Sequence, residues 1–146
     1  MFVQLCRVIR FLHQRNIIHR DIKLENILLE GKTTPKICDF GWSRVLRDNE
    51  QRQTFCGTFE YMAPEIFENE EYGKQVDIWS LGVILYELFH HKSPFAAQNT
   101  FKIYKKILNL EISLNRNVPL QVSQLILTLL QNDPKKRPTI DEVMRN

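Results

Sequence analysis

The stretch HRDIKLEN, residues 19–26, sets Asp21, Lys23, Glu25 and Asn26 in one short run between an amphipathic pattern and the apolar residues 27–29. No regular element calls for that mixture of charges and amide, so the run reads as a loop that carries chemistry. Asp39, in the segment CDFG, follows Asp21 by 18 residues. Between them, residues 27–29 and 36–38 have strand composition and residues 31–35 have turn composition, which predicts a hairpin. Its closure would bring Asn26 and Asp39 side by side. An amide oxygen beside a carboxylate, with Asp21 and Lys23 close by, suits a magnesium-bound triphosphate. Magnesium takes hard oxygen ligands and draws only one or two of them from protein.

HRD-x-x-x-x-N at residues 19–26, DFG at 39–41 and APE at Ala63, Pro64 and Glu65 follow one another in the order that marks eukaryotic protein kinases, and the chain resembles that family along nearly its whole length. Taken singly, each residue could belong to a polar turn between helix and strand. The three motifs together, in order, have no structural reason to coincide. The resemblance implies one domain, residues 1–146, with the fold of a kinase large lobe. That fold is mainly α: helices around a central apolar helix, with short β-hairpins at the active site.

By resemblance, Asp21 accepts the proton of a substrate hydroxyl and Lys23 neutralises charge on the transferred phosphate. Lysine at that place marks the serine/threonine branch. Asn26 and Asp39 would hold magnesium, while Lys23, Glu25, Asn26, Leu28, Cys38 and Asp39 would surround ATP, with Leu28 as the floor under adenine. His19 and Phe40 are expected in the core, stacked on each other. Thr54 aligns with an activating phosphorylation site and Arg20 with the residue that grips its phosphate, a group of nearly two charges and three acceptors. Thr58 would touch Asp21 and Lys23, and residues 59–62 would line the groove for the position after the phosphoacceptor. Glu65 is expected to pair with Arg137, and Asp77 to tie the central helix to the catalytic loop.

Phe2, Leu5, Cys6, Ile9, Leu12 and His13 share one helical face, which predicts a helix over 2–15 ending near Asn16. Ile17 and Ile18 then read as a short strand. A brief helix is expected from Pro64, and a long one over 75–90, apolar on most sides and therefore central. Two amphipathic helices are expected over 99–109 and 120–131, the second entered at Pro119. A last helix is capped by Thr139, with Glu142 three residues on as its capping-box partner.

Hydrophobic residues at 43 % and charged residues at 25 % are those of an ordinary globular domain. A net charge of +3 is too small to propose a nucleic-acid partner. Residues 78–89 are too short to span a bilayer, so no membrane partner is expected. Three cysteines, Cys6, Cys38 and Cys56, stand at unrelated spacings, which argues for a reducing, intracellular (cytoplasmic or nuclear) setting. Oligomeric state is not legible.

Gly41-Trp42-Ser43 and Thr54-Phe55-Cys56-Gly57-Thr58 are similar to aurora kinases, whereas residues 59–64 are closer to the general serine/threonine pattern. Glu25 and Glu87 match two acidic positions that, in basophilic kinases, receive an arginine two residues before the phosphoacceptor. The expected partners are therefore proteins with such a serine or threonine, and Arg52 before Thr54 would make the loop its own substrate. No G-x-G-x-x-G occurs in the sequence. The residues that resemble the family are those of its large lobe, and the expectation is a fragment with activity near background and weak ATP binding by itself. The competing reading is a catalytically incompetent binding module.

Overall fold

The computed structural model describes residues 1–31, 34–45 and 58–145. Helix α1 (Phe2–Gln14) leads to strand β1 (Ile17–Ile18); a single 3-10 turn at Leu24–Asn26 precedes the hairpin β2 (Ile27–Glu30) and β3 (Thr34–Ile37). Strand β4 (Arg44–Val45) is followed, beyond a second 3-10 turn at Phe59–Tyr61, by helices α2 (Pro64–Phe67), α3 (Gln75–His90), α4 (Thr100–Leu108), α5 (Leu120–Leu129) and α6 (Ile140–Val143). The mainly helical, kinase-like architecture implied by the motifs is what is found. Among the described residues no helix is long and apolar enough to cross a membrane.

The centre is α3. From Val76 to Tyr86 every residue of this helix is buried, Asp77, Ser80 and Gly82 included. Gly82 is there because α5 passes too close for a side chain: a Cβ would lie 2.8 Å from Leu130 Cδ2 and 2.9 Å from Leu129 Cβ. The helix stops at His91, whose left-handed φ of 56° closes the last turn, its N–H donating to the Glu87 carbonyl. The amphipathic helices α1, α4, α5 and α6 place their buried residues against this centre. Asn99 caps α4 by accepting from the Lys102 N–H at 2.9 Å, and Thr139 and Glu142 form the expected capping box on α6.

The predicted hairpin is present with a different turn. Residues 27–30 pair antiparallel with 37–34, so Pro35, expected in the turn, stands opposite Leu29 within β3. Cys38 N–H donates to the Asn26 carbonyl at 2.9 Å, which makes Asn26 and Cys38 a hydrogen-bonded pair and leaves Leu29–Pro35 at an alternate site. There a proline's missing N–H would have pointed outward, so nothing is lost. The second sheet was not foreseen: β1 pairs with β4, Ile17 with Val45 and Ile18 with Arg44. Strands of two residues have no periodicity to read.

Candidate active site

Residues 19–26 are shaped from below. Ile18, His19 and Ile22 are buried, and so is Asp21, at 5 % exposure. Asp77 of α3, fully buried, takes three donors: the His19 N–H at 3.0 Å and His13 Nε2 at 2.8 Å on Oδ2, and the Arg20 N–H at 2.9 Å on Oδ1. Arg20 stands at φ 71°, a left-handed conformation unfavourable for its side chain, and the Asp77 bond to its N–H holds it there. Its guanidinium is buried against the Tyr72 hydroxyl, to which Nη1 donates at 2.8 Å, and the Trp42 carbonyl, to which Nε donates.

Asp21 is where the segments converge. Its Oδ2 accepts from Asn26 Nδ2 at 3.0 Å and lies 3.2 Å from Lys23 Nζ. Oδ1 faces Thr58, whose N–H is 3.3 Å away and whose hydroxyl is 3.4 Å away. Lys23 Nζ in turn donates to Thr58 Oγ1 at 2.7 Å. Asn26 also donates to the Asp21 carbonyl at 2.9 Å, so its amide nitrogen is used within the loop and its oxygen is turned away from it. Asp39 is exposed at φ 62°, with Oδ1 accepting from the Gly41 N–H at 3.1 Å. The hairpin register places Asn26 and Asp39 at the same open end, beside the half-buried Cys38, whose thiol donates to the Asn26 carbonyl at 3.3 Å. Leu28 is 58 % exposed on β2.

His19 and Phe40 meet edge-on with ring centroids 4.9 Å apart. Only His19 is core, however; Phe40 is 49 % exposed, against the expectation that both are buried. His19 meets the Phe40 ring edge-on rather than stacking on it. Burial lowers the His19 pKa, against the pull of the Asp77, Asp21 and Asp39 carboxylates and the Cys38 backbone, so the ring under the loop favours its neutral form.

Glu25 and Glu87 lie near each other, with Glu60 as a third acid that the motifs did not reveal. Burial pushes the Glu87 carboxyl up; the charges of Glu25 and Glu60 add to that shift, and a hydrogen bond from the Tyr61 hydroxyl opposes it. Glu65 and Arg137 form a bidentate pair with both contacts at 2.7 Å, buried beside Trp79. Thr54, Arg52 and Cys56 lie outside the described residues. The sequence reading missed Tyr72, the bond of Tyr61 to Glu87 and the partner of His13, because contacts between positions this far apart leave no local pattern.

A family model described as the protein kinase domain matches residues 1–146. The chain is 40 % identical over 140 residues to an aurora kinase of Saccharomyces cerevisiae, covering 96 % of this chain and 38 % of that protein. It is 40 % identical over 141 residues to an aurora kinase of Patiria pectinifera, covering 97 % and 34 %. A probable serine/threonine-protein kinase of Zea mays is 41 % identical over 148 residues, covering 99 % of this chain and 24 % of that protein. The chain thus spans well under half the length of these curated relatives.

Proposed function

The chain belongs to the protein kinase family, on its serine/threonine, aurora-like side, and from that premise we propose that it carries the phosphoryl-transfer centre of an ATP-dependent kinase acting on serine and threonine hydroxyls of proteins. The observation that supports this reading best is the convergence on Asp21 of Lys23, Asn26 and Thr58. Donors on both carboxylate oxygens fix its plane, and the position of a base matters more than its strength in a loose phosphoryl transfer. In the proposed step Asp21 receives the hydroxyl proton as that oxygen bonds to phosphorus and the bond to the departing nucleotide breaks. Lys23 sits between Asp21 and Thr58, placed to meet the negative charge of the moving phosphoryl.

The donor set at the open end of the hairpin fits magnesium. The Asn26 amide oxygen and the Asp39 carboxylate are hard ligands, and two from protein are enough when phosphates and water complete the shell. Bound magnesium–ATP would supply the phosphoryl group and neutralise its charge, with Asn26 and Asp39 as holders, Leu28 against the base, and Glu25 and Cys38 beside it. Glu25 and Glu87, joined by Glu60, support an arginine two residues before the phosphoacceptor, because a guanidinium would relieve three crowded carboxylates.

The test is transfer of labelled phosphate from magnesium–ATP to Arg-x-Thr and Ala-x-Thr peptides by the chain extended upstream with its genomic sequence, run beside Asp21→Asn in the same extended chain. Transfer that falls at least a hundredfold in the variant, with the Arg peptide preferred, is expected. Transfer no greater than in Asp21→Asn rejects the catalytic reading, and retention of the peptide without transfer leaves a binding module in its place.

A further inference from the structure

Between the end of α1 and the starts of α3 and α6 lies a cavity of about 290 Å³. Its walls come from three elements: His13 and Gln14 at the end of α1, Lys74 and Ile78 at the start of α3, and Pro138 and Ile140 at the start of α6. His13 is 5 % exposed, and its Nε2 is committed to Asp77 at 2.8 Å. Since a carboxylate accepts, Nε2 carries the proton, and in the neutral ring Nδ1 is then a bare acceptor. Nδ1 has no hydrogen-bond partner among the described residues, in a side chain that is almost wholly buried and lines the cavity.

The charged groups on the walls are already engaged. Lys74 Nζ donates to Asn16 Oδ1 at 2.7 Å, and Asp141 Oδ1, which makes no aligned hydrogen bond, lies 2.6 Å from Arg10 Nε, so that its charge is matched by the guanidinium. Neither is left to select an ion, while Ile78, Pro138 and Ile140 give the cavity apolar surface. A volume near the lower end of ligand pockets, about 300 Å³, suits one or two rings rather than a nucleotide. We infer that this cavity is a binding site for a small uncharged ring compound that donates one hydrogen bond, from a hydroxyl or N–H, to His13 Nδ1, and that its occupancy is felt at the catalytic loop through Asp77.

The route is short. A donor at Nδ1 polarises the imidazole and strengthens the Nε2–H bond to Asp77 Oδ2, because hydrogen bonds in a chain reinforce one another. That same oxygen accepts from His19 N–H, and the other Asp77 oxygen from Arg20 N–H. The occupant therefore pulls on the carboxylate that holds the residues next to Asp21. None of this depends on the catalytic reading, since the site and its link to the loop exist whether or not phosphate is transferred.

Phenol is the probe, titrated into the 146-residue chain and followed by nitrogen-15 NMR. Benzene serves as the matched ring without a donor, and Gln14→Trp, at the exposed rim of the cavity, as the variant that fills its mouth. The expected result is a saturable shift of the His13 ring nitrogens together with the His19 and Arg20 amides, at least fivefold tighter for phenol than for benzene and lost in Gln14→Trp. Equal affinities for the two rings would overturn the bond to His13. Shifts that survive Gln14→Trp would overturn the site. Shifts at His13 without any at His19 and Arg20 would overturn the link.

Discussion

Asp39 does two things that can be separated by one substitution. Its left-handed φ of 62° costs a non-glycine residue about 1–2 kcal/mol. Asp39→Gly removes that strain, but it adds about 0.5–1 kcal/mol of backbone entropy and loses the bond from Gly41 N–H, about 0.5–1.5 kcal/mol. The terms nearly cancel, so urea unfolding of Asp39→Gly should fall within about 1 kcal/mol of the parent, while magnesium-dependent phosphoryl transfer by the upstream-extended chain is lost. A large loss of stability would instead make Asp39 a structural residue. Asp77 behaves differently, because its oxygens serve three donors and no strain is relieved by changing it. Asp77→Asn turns an amide N–H towards a donor that has nowhere else to go, an expected cost of about 1–3 kcal/mol. The amide proton of His19 or Arg20 should then exchange faster than in the parent while the amides of the middle of α3 keep their protection, which hydrogen exchange read by NMR would show. Glu87 offers a pH readout. Its carboxyl is raised by burial and by Glu25 and Glu60, and it must be ionised to hold an arginine. As pH falls, preference for the Arg peptide should therefore fade at a higher pH than an exposed glutamate would give. Glu87→Gln should remove both the preference and its pH dependence, and a preference flat across the acid range would deny Glu87 the role.

At the scale of elements, the approach of α3 and α5 is set at Gly82, where a methyl group has no room beside Leu129 and Leu130. Gly82→Ala improves intrinsic helix propensity by about 1 kcal/mol, yet overpacking of a tight core costs about 1–3 kcal/mol. The second effect decides the sign, because the blocking atoms include Leu129 Cβ, which cannot swing aside. A lowered Tm for Gly82→Ala is expected, and an unchanged or raised one would mean that the two helices can separate without loss. The elements were legible to unequal degrees, for physical reasons. The long apolar run of α3 and the Thr139–Glu142 box declare themselves locally, since burial on all sides and a reciprocal cap each leave a fixed spacing. Strands β1 and β4 do not, because two residues hold no alternation and their pairing is settled by the loop between them. Pro35 misled for a related reason: a proline is excluded from a strand only where its N–H would have bonded a neighbour.

Across the whole molecule, the chemistry-bearing residues and three ties around them (Asp77 to the loop, Thr58 to Asp21 and Lys23, Glu65 to Arg137) were expected from the motifs and the family resemblance, but the rest of the positioning network was not. Asp21, Asn26 and Asp39 stand out because charges gather where packing gives them no reason to be. Tyr72 under Arg20, Tyr61 on Glu87 and His13 on Asp77 carry no sign of these partners until the fold brings them together. Phe40 failed the other way, since an aromatic residue is expected inside, yet its ring meets His19 edge-on and it stays 49 % exposed. The pair Glu65–Arg137 is the longest of these ties, linking residues 72 apart in sequence, and its two halves are not equivalent. Arg137 also donates to the carbonyls of Gln131 at 2.7 Å, Gln75 at 3.0 Å and Asn132 at 3.2 Å, and stands 5.0 Å from the centre of the Trp79 ring. Glu65→Leu therefore leaves a cation that keeps three acceptors, and should cost near the lower end of the about 3–5 kcal/mol that breaking a buried pair brings. Arg137→Met leaves a carboxylate that is 2 % exposed and three carbonyls without their donor, and should cost more. Urea unfolding of both single variants and the double would separate the pairwise term from the carbonyl term. Equal costs for the two single variants would mean that the carbonyls contribute nothing. A cost ordered as expected, with the double variant close to Arg137→Met alone, would place the loss with Arg137 and its acceptors, which join the segment after α5 to the start of α3.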